Sequence, residues 1–125
     1  MSFILPTEEQ FKKIMSLGYK GPIVMVNLLK FKPDGGAESY KKYYEGTKKI
    51  TEGKYITRIV YRGNGLMPVI GDEEWDEVAL YEYPSIEAFI EMNRNKKYQA
   101  LIRYRTEALL DSRLYCTIPK EIDTF

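Results

Sequence analysis

The placement of Arg105 calls for a chemical explanation. At about 100° per residue, Tyr98, Leu101, Ile102, Ala108 and Leu109 form one apolar stripe along the segment from Asn95 to Leu110, and Arg105 falls near its centre. A guanidinium does not deprotonate in a protein, so burial demands carboxylate or carbonyl partners, or a bound anion. Glu82, Asp76 and Asp111 are the candidate structural partners; a long stem reaching out to water is the bland alternative, and an oxyanion ligand the sharper one. Asn27 is the second anomaly, an amide inside the apolar run from Ile23 to Phe31. Buried without a partner it would cost about 1–3 kcal/mol, so it either bridges to a loop or points into a cavity. Asp72-Glu73-Glu74-Trp75-Asp76-Glu77 gathers five carboxylates in six residues but lacks the spacing of a calcium loop, and reads as a solvated turn. Its Trp75, the only tryptophan, is either a packing residue or the aromatic wall of a pocket.

What is missing narrows the chemistry further. The 125 residues contain no histidine, which excludes Ser–His–Asp and Cys–His catalysis and histidine-ligated metals. Cys116 is the only cysteine, so there is no intrachain disulfide and no thiolate cluster; flanked by Tyr115 and Thr117 it reads as an inert strand residue. No metal and no cofactor are expected. Nineteen basic against eighteen acidic residues leave a net charge of +1, too balanced for a protein whose main partner is nucleic acid or an anionic membrane. The start, Met1-Ser2-Phe3-Ile4-Leu5-Pro6, lacks the basic and apolar regions of a signal peptide, and no run approaches the ~20 apolar residues of a membrane span. A cytoplasmic protein is the expectation.

The elements that must position these residues follow from periodicity. One domain is expected over residues 1–125, with a helical extension over 1–20 and a core over 21–119. Thr7-Glu8-Glu9-Gln10 has the form of a capping box and starts a short helix ending near Gly18. Ile23 to Phe31 is a strand, Pro33-Asp34-Gly35-Gly36 a turn, and the stripe Tyr40, Tyr43, Tyr44, Thr47, Ile50 a helix stopped by Gly53. Tyr55 to Arg62 is a second strand, Gly63-Asn64-Gly65 a hairpin turn and Leu66 to Ile70 a short returning strand. Trp75 to Tyr83 is the next strand. Ser85 caps a helix, Asn95 caps another that carries Arg105, and Arg113 to Ile118 closes the chain as a strand.

This order is α+β, a ferredoxin-like βαββαβ with an extra short strand after the second and a short leading helix. Its antiparallel sheet carries helices on one face. Yet the first strand is apolar on both sides, with Ile23, Met25, Leu29 and Phe31 on one and Val24, Val26 and Leu28 on the other. A second copy of the chain is the simplest cover for the face the helices leave open.

At several blocks the chain resembles the domain of unknown function 1330 family, within the dimeric α/β-barrel superfamily. They are Val26-Asn27-Leu28-Leu29-Lys30-Phe31, Trp75-Asp76 with Glu82-Tyr83-Pro84-Ser85, Ala88-Phe89, Tyr98-Gln99-Ala100, and Arg105 with Ala108-Leu109 and Asp111-Ser112-Arg113-Leu114. The resemblance implies a ferredoxin-like subunit pairing sheet to sheet with a second copy. It implies no reaction, since fold analogy does not transfer activity. Where similar sequences carry histidine before the arginine, this chain has Tyr104, a group of much higher pKa.

Two functions from different classes fit. One is a cofactor-independent, oxygenase-like or isomerase-like enzyme on a small organic molecule. In it Arg105 and Asp76 are the catalytic candidates, and Asn27, Trp75, Asp76, Glu82, Tyr104 and Arg105 the ligand-binding candidates. The other is a non-catalytic structural or ligand-binding homodimer. An RNA-binding sheet would need basic and aromatic strands, and the Trp75–Tyr83 strand is acidic. The discriminating feature is a partly polar cavity touching Arg105 and Asn27.

Overall fold

The computed structural model describes residues 2–125; Met1, with which the sequence reading of the N-terminus begins, lies outside them. The elements run α1 (Glu8–Ser16), β1 (Ile23–Phe31), α2 (Gly36–Thr51), β2 (Arg58–Asn64), β3 (Glu77–Tyr83), α3 (Ile86–Arg94), α4 (Lys96–Gln99), α5 (Ile102–Ala108) and β4 (Leu109–Thr117). The four strands form one antiparallel sheet in the order β2-β3-β1-β4, the ferredoxin-like arrangement.

Local signals place the helices. The Thr7 hydroxyl accepts the Gln10 N–H while the Gln10 side chain accepts the Thr7 N–H, so the capping box closes. The Ser85 hydroxyl accepts the Ala88 N–H and starts α3. Gly53 follows α2 with φ of 75°, a conformation open to glycine.

Strand parity decides what each side chain sees. Ile23, Met25, Asn27 and Leu29 are buried against the helices, whereas Val24, Val26 and Leu28 are only half-buried. In β3 the odd-numbered Glu77, Ala79, Tyr81 and Tyr83 join the first set, and Val78, Leu80 and Glu82 lie on the opposite face. Half-buried Val24, Val26, Leu28, Val78 and Leu80 therefore make an apolar strip on the helix-free face.

Several boundaries differ from the sequence expectation, among them the starts of β2, at Arg58 rather than Tyr55, and of β3, at Glu77 rather than Trp75. Gly63-Asn64 does not turn but extends β2, because Arg62 pairs with Glu77 and sets Asn64 opposite Glu77. Leu66 to Ile70 forms no strand: Pro68 lacks an N–H for a ladder, and Leu66 and Ile70 are almost fully exposed. The helix from Asn95 is broken into α4 and α5. The Asn95 carboxamide oxygen caps the first, and Leu101 at the break packs against Gly46 of α2. Consequently β4 starts at Leu109 rather than Arg113.

Candidate functional site

A cavity of about 690 Å³ lies between the helix-facing side of the sheet, α2, α3, α5 and the N-terminal segment ahead of α1. Arg105 and Asn27 both line it, and both are more than nine-tenths buried. Arg105 reaches it because α5 packs its Arg105 and Ala108 side inward, onto α2 and the sheet. Asn27 reaches it through the parity of β1.

Arg105 has none of the carboxylate partners expected from the sequence. No ion pair within 4.0 Å involves it among the described residues. One guanidinium nitrogen, Nη1, donates to the backbone carbonyl of Ile4, in the segment that crosses the cavity. The three expected partners are engaged elsewhere for reasons of register. Glu82 lies on the opposite sheet face, where its Oε1 accepts from Arg58 Nε at 3.0 Å. Asp76 sits at the end of the loop before β3 and clamps the end of β1: its carboxylate accepts the Phe31 N–H at 2.8 Å, and its own N–H donates to the Leu29 carbonyl at 2.8 Å. Asp111 turns outward and accepts from the Phe3 N–H at 2.9 Å and Arg113 Nη1 at 2.7 Å. Those bonds hold its carboxyl below the usual carboxylate range, the Phe3 N–H contributing most.

The Asn27 amide likewise makes no side-chain hydrogen bond among the described residues. No fully sealed side-chain nitrogen or oxygen lacks a partner there. The free donors of Arg105 and Asn27 therefore open into the cavity.

Of the other sequence candidates, Trp75, Asp76, Glu82 and Tyr104 do not line this space. Trp75 borders a separate surface recess under the 65–74 loop, with the Arg113 guanidinium 5.0 Å from its ring. Tyr104 is half-buried beside it on α5, with its hydroxyl accepting from Arg103 Nη2 at 2.9 Å. What lines the cavity with Arg105 instead is a set of tyrosines on three elements that single-residue reasoning missed. Tyr40 and Tyr43 come from α2, Tyr81 and Tyr83 from β3, and Tyr98 from α4. The Tyr43 and Tyr98 hydroxyls share a hydrogen bond of 2.6 Å.

Burial drives the pKa of Tyr40, Tyr43, Tyr83 and Tyr98 upward, and that of Tyr81 up to about 12. The positive charge of Arg105 acts on the first four in the opposite sense and does not overcome desolvation. These phenols are neutral donors at physiological pH, so none of them neutralises Arg105. Burial also raises the pKa of Cys116, whose thiol lines the same cavity. The arrangement is a donor-rich, cationic pocket in an apolar shell, suited to binding an oxyanion. Among the described residues, no three His, Cys, Asp or Glu side chains converge as a metal site would require.

Comparison with known proteins agrees with this architecture. The chain is 35% identical to the RPA0582 protein of Rhodopseudomonas palustris, a protein of unknown function. That alignment covers 97% of this chain and 99% of the other, with a TM-score of 0.90. A dimeric protein of unknown function and ferredoxin-like fold from Bacteroides fragilis matches at 14% identity and a TM-score of 0.57, over 78% and 96% of the two chains. The hydroxynitrile lyase of Passiflora edulis matches at 12% identity and a TM-score of 0.66, over 86% and 99%. At such identities the last two show a shared fold alone. No curated protein matches the sequence. The family model for the domain of unknown function DUF1330 matches residues 35–115, and with the RPA0582 likeness over nearly the whole of both chains this protein belongs to the DUF1330 family.

Proposed function

We propose that this protein is a homodimeric small-molecule-binding protein whose ligand lies in the cavity between sheet and helices, held by Arg105 and Asn27. One observation carries the reading: a buried guanidinium and a buried amide, neither of them satisfied by a protein side chain, face the same space of about 690 Å³. Retaining such groups costs folding free energy unless a ligand or water meets them, so a binding site explains them better than a packed core does. Of the sequence candidates, the proposed site keeps Arg105 and Asn27, and it adds Tyr40, Tyr43, Tyr83 and Tyr98.

The apolar strip Val24, Val26, Leu28, Val78 and Leu80 supports pairing of two sheets face to face, and the Bacteroides fragilis protein of this fold is described as dimeric. No helix among the described residues is long and apolar enough to cross a membrane; a cytoplasmic placement is part of the same proposal, a single cysteine being compatible with a reducing compartment.

A second reading, cofactor-independent oxygenase-like or isomerase-like catalysis in the same cavity, is favoured by the Tyr43–Tyr98 hydroxyl pair beside a cationic anchor. Such a pair can donate to a developing enolate while Arg105 offsets its charge. The test of the binding reading is a thermal-shift screen of small organic compounds, with each hit required to slow modification of Cys116 by an aromatic disulfide reagent. Protection of Cys116 is the expected result. Hits that leave the Cys116 rate unchanged, or a library without hits, would overturn it.

A further inference from the structure

The strand register orders the floor of the cavity, with Ser112 and Asn27 toward one end and Met25 and Cys116 toward the other. On the helix-facing side of β1, Leu29 lies beside Ser112, Asn27 beside Leu114, and Met25 between Cys116 and Tyr81. Successive residues on one face are about 6.6 Å apart, so this floor spans the length of a small organic molecule. Arg105 belongs to the Leu29 end: Ile4, whose carbonyl it meets, packs with Leu29, Tyr40, Ala108 and Leu109. The other end is walled by Phe89 and Met92 of α3 and by Phe11 and Ile14 of α1.

Charge narrows the head group. Arg105 carries five N–H donors, of which one meets Ile4, and the surrounding phenols are neutral. A neutral ligand would leave that charge uncompensated at a residue more than nine-tenths buried, at a cost that burial makes severe. The other guanidinia on the lining, Arg58 and Arg113, are already paired with Glu82 at 3.0 Å and Asp111 at 2.7 Å, and Lys48 is exposed to solvent, so none balances a second negative charge beside Arg105. One negative charge of planar, two-oxygen geometry fits the guanidinium fork. Asn27 and the Tyr43–Tyr98 pair lie farther along, where a short polar substituent would find partners, and Met25, Phe89 and Met92 take an apolar body.

Resting on the cavity reading above, we infer that the ligand class is an amphipathic monocarboxylate, its carboxylate on Arg105 and its apolar body laid along β1 toward Ile23.

The experiment is isothermal titration of the full-length protein with octanoate and hydrocinnamate, and with their neutral amides octanamide and hydrocinnamamide. It is repeated on Arg105→Met and Arg105→Lys. Each acid is expected to bind about tenfold or more tightly than its amide, a gap equivalent to one charge-assisted contact. Arg105→Met should abolish that preference and Arg105→Lys should retain part of it, which keeps the test informative if one variant folds poorly. Octanoate against hydrocinnamate tells an aliphatic body from an aromatic one. Amides that bind as tightly as the acids, or an acid preference that survives in Arg105→Met, would overturn the carboxylate assignment while leaving the cavity reading intact. Binding of neither acid nor amide would overturn the assignment as well, and the Cys116 protection screen then decides the cavity reading separately.

Discussion

Arg105 and Ile4, 101 positions apart in sequence, are joined by a single hydrogen bond in which the guanidinium donates to a backbone carbonyl. The contact ties the N-terminal segment across the cavity, assisted by Ser112 Oγ donating to the Phe3 carbonyl at 2.6 Å. It leaves the charge of Arg105 without a carboxylate within 4.0 Å among the described residues. A structural ion pair would have cost several kcal/mol to break, because removing one partner strands the other.

Replacing Arg105 by Met is therefore expected to leave stability within about 1 kcal/mol of wild type, or to raise it, since no carboxylate is stranded and only one neutral carbonyl is freed. Urea unfolding monitored by Trp75 fluorescence measures this. A loss of several kcal/mol would show that Arg105 holds the fold together.

The pH dependence at the alkaline end follows from the tyrosines. Their folded-state pKa values are raised, so their contribution is fully present below pH about 10 and is lost as pH rises from there toward the folded values, because the unfolded chain ionises first. Absorbance titration of phenolate should show Tyr81 ionising near pH 12, and Tyr40, Tyr43, Tyr83 and Tyr98 ionising later than free tyrosine or only together with unfolding. In denaturant all eleven tyrosines should titrate together near 10. Identical titration curves in the two conditions would contradict the buried placement.

Much of this architecture was legible in the sequence because hydrophobic periodicity reports burial directly. The Ile23–Phe31 run and the tyrosine stripe of α2 both have the type and nearly the bounds expected, and the charge of Arg105 in an apolar stripe marked its burial. Relations between elements were not legible. Whether Glu82 faces Arg105 depends on one residue of parity in β3, and parity follows from the pairing of Arg62 with Glu77. That same pairing overrode the local turn preference of Gly63-Asn64-Gly65. The tyrosine lining comes from three elements spread between residues 40 and 98, and only the folded sheet brings them together. The one available signal was abundance: eleven tyrosines in 125 residues is more than a surface needs.

The loop that replaces the expected short strand is closed by Gly65, whose N–H donates to the Asp76 carbonyl at 2.9 Å. A Cβ there would lie 1.7 Å from the Trp75 carbonyl oxygen, a backbone atom that cannot move alone. Gly65→Ala should destabilise the protein by about 1–3 kcal/mol, read as a lower denaturant midpoint. An unchanged midpoint would mean that the loop is not anchored at this position.

The proposed dimer rests on the helix-free face. Val26 is at its centre, between Leu80 of β3 and Tyr115 of β4. Val26→Asp would place a carboxylate in the middle of a desolvated interface. Sedimentation velocity is expected to show a dimer for wild type and a monomer for the variant. A monomeric wild type, or a variant of unchanged mass, would count against pairing through this face.

The most direct test of the central claim is a crystal structure of the protein soaked with para-bromobenzoate, with the bromine located by anomalous scattering. The account predicts a bromine peak inside the cavity on the Met25 side, with the carboxylate about 2.7–2.9 Å from the Arg105 guanidinium. An empty cavity with Arg105 closed onto a protein carboxylate would contradict it.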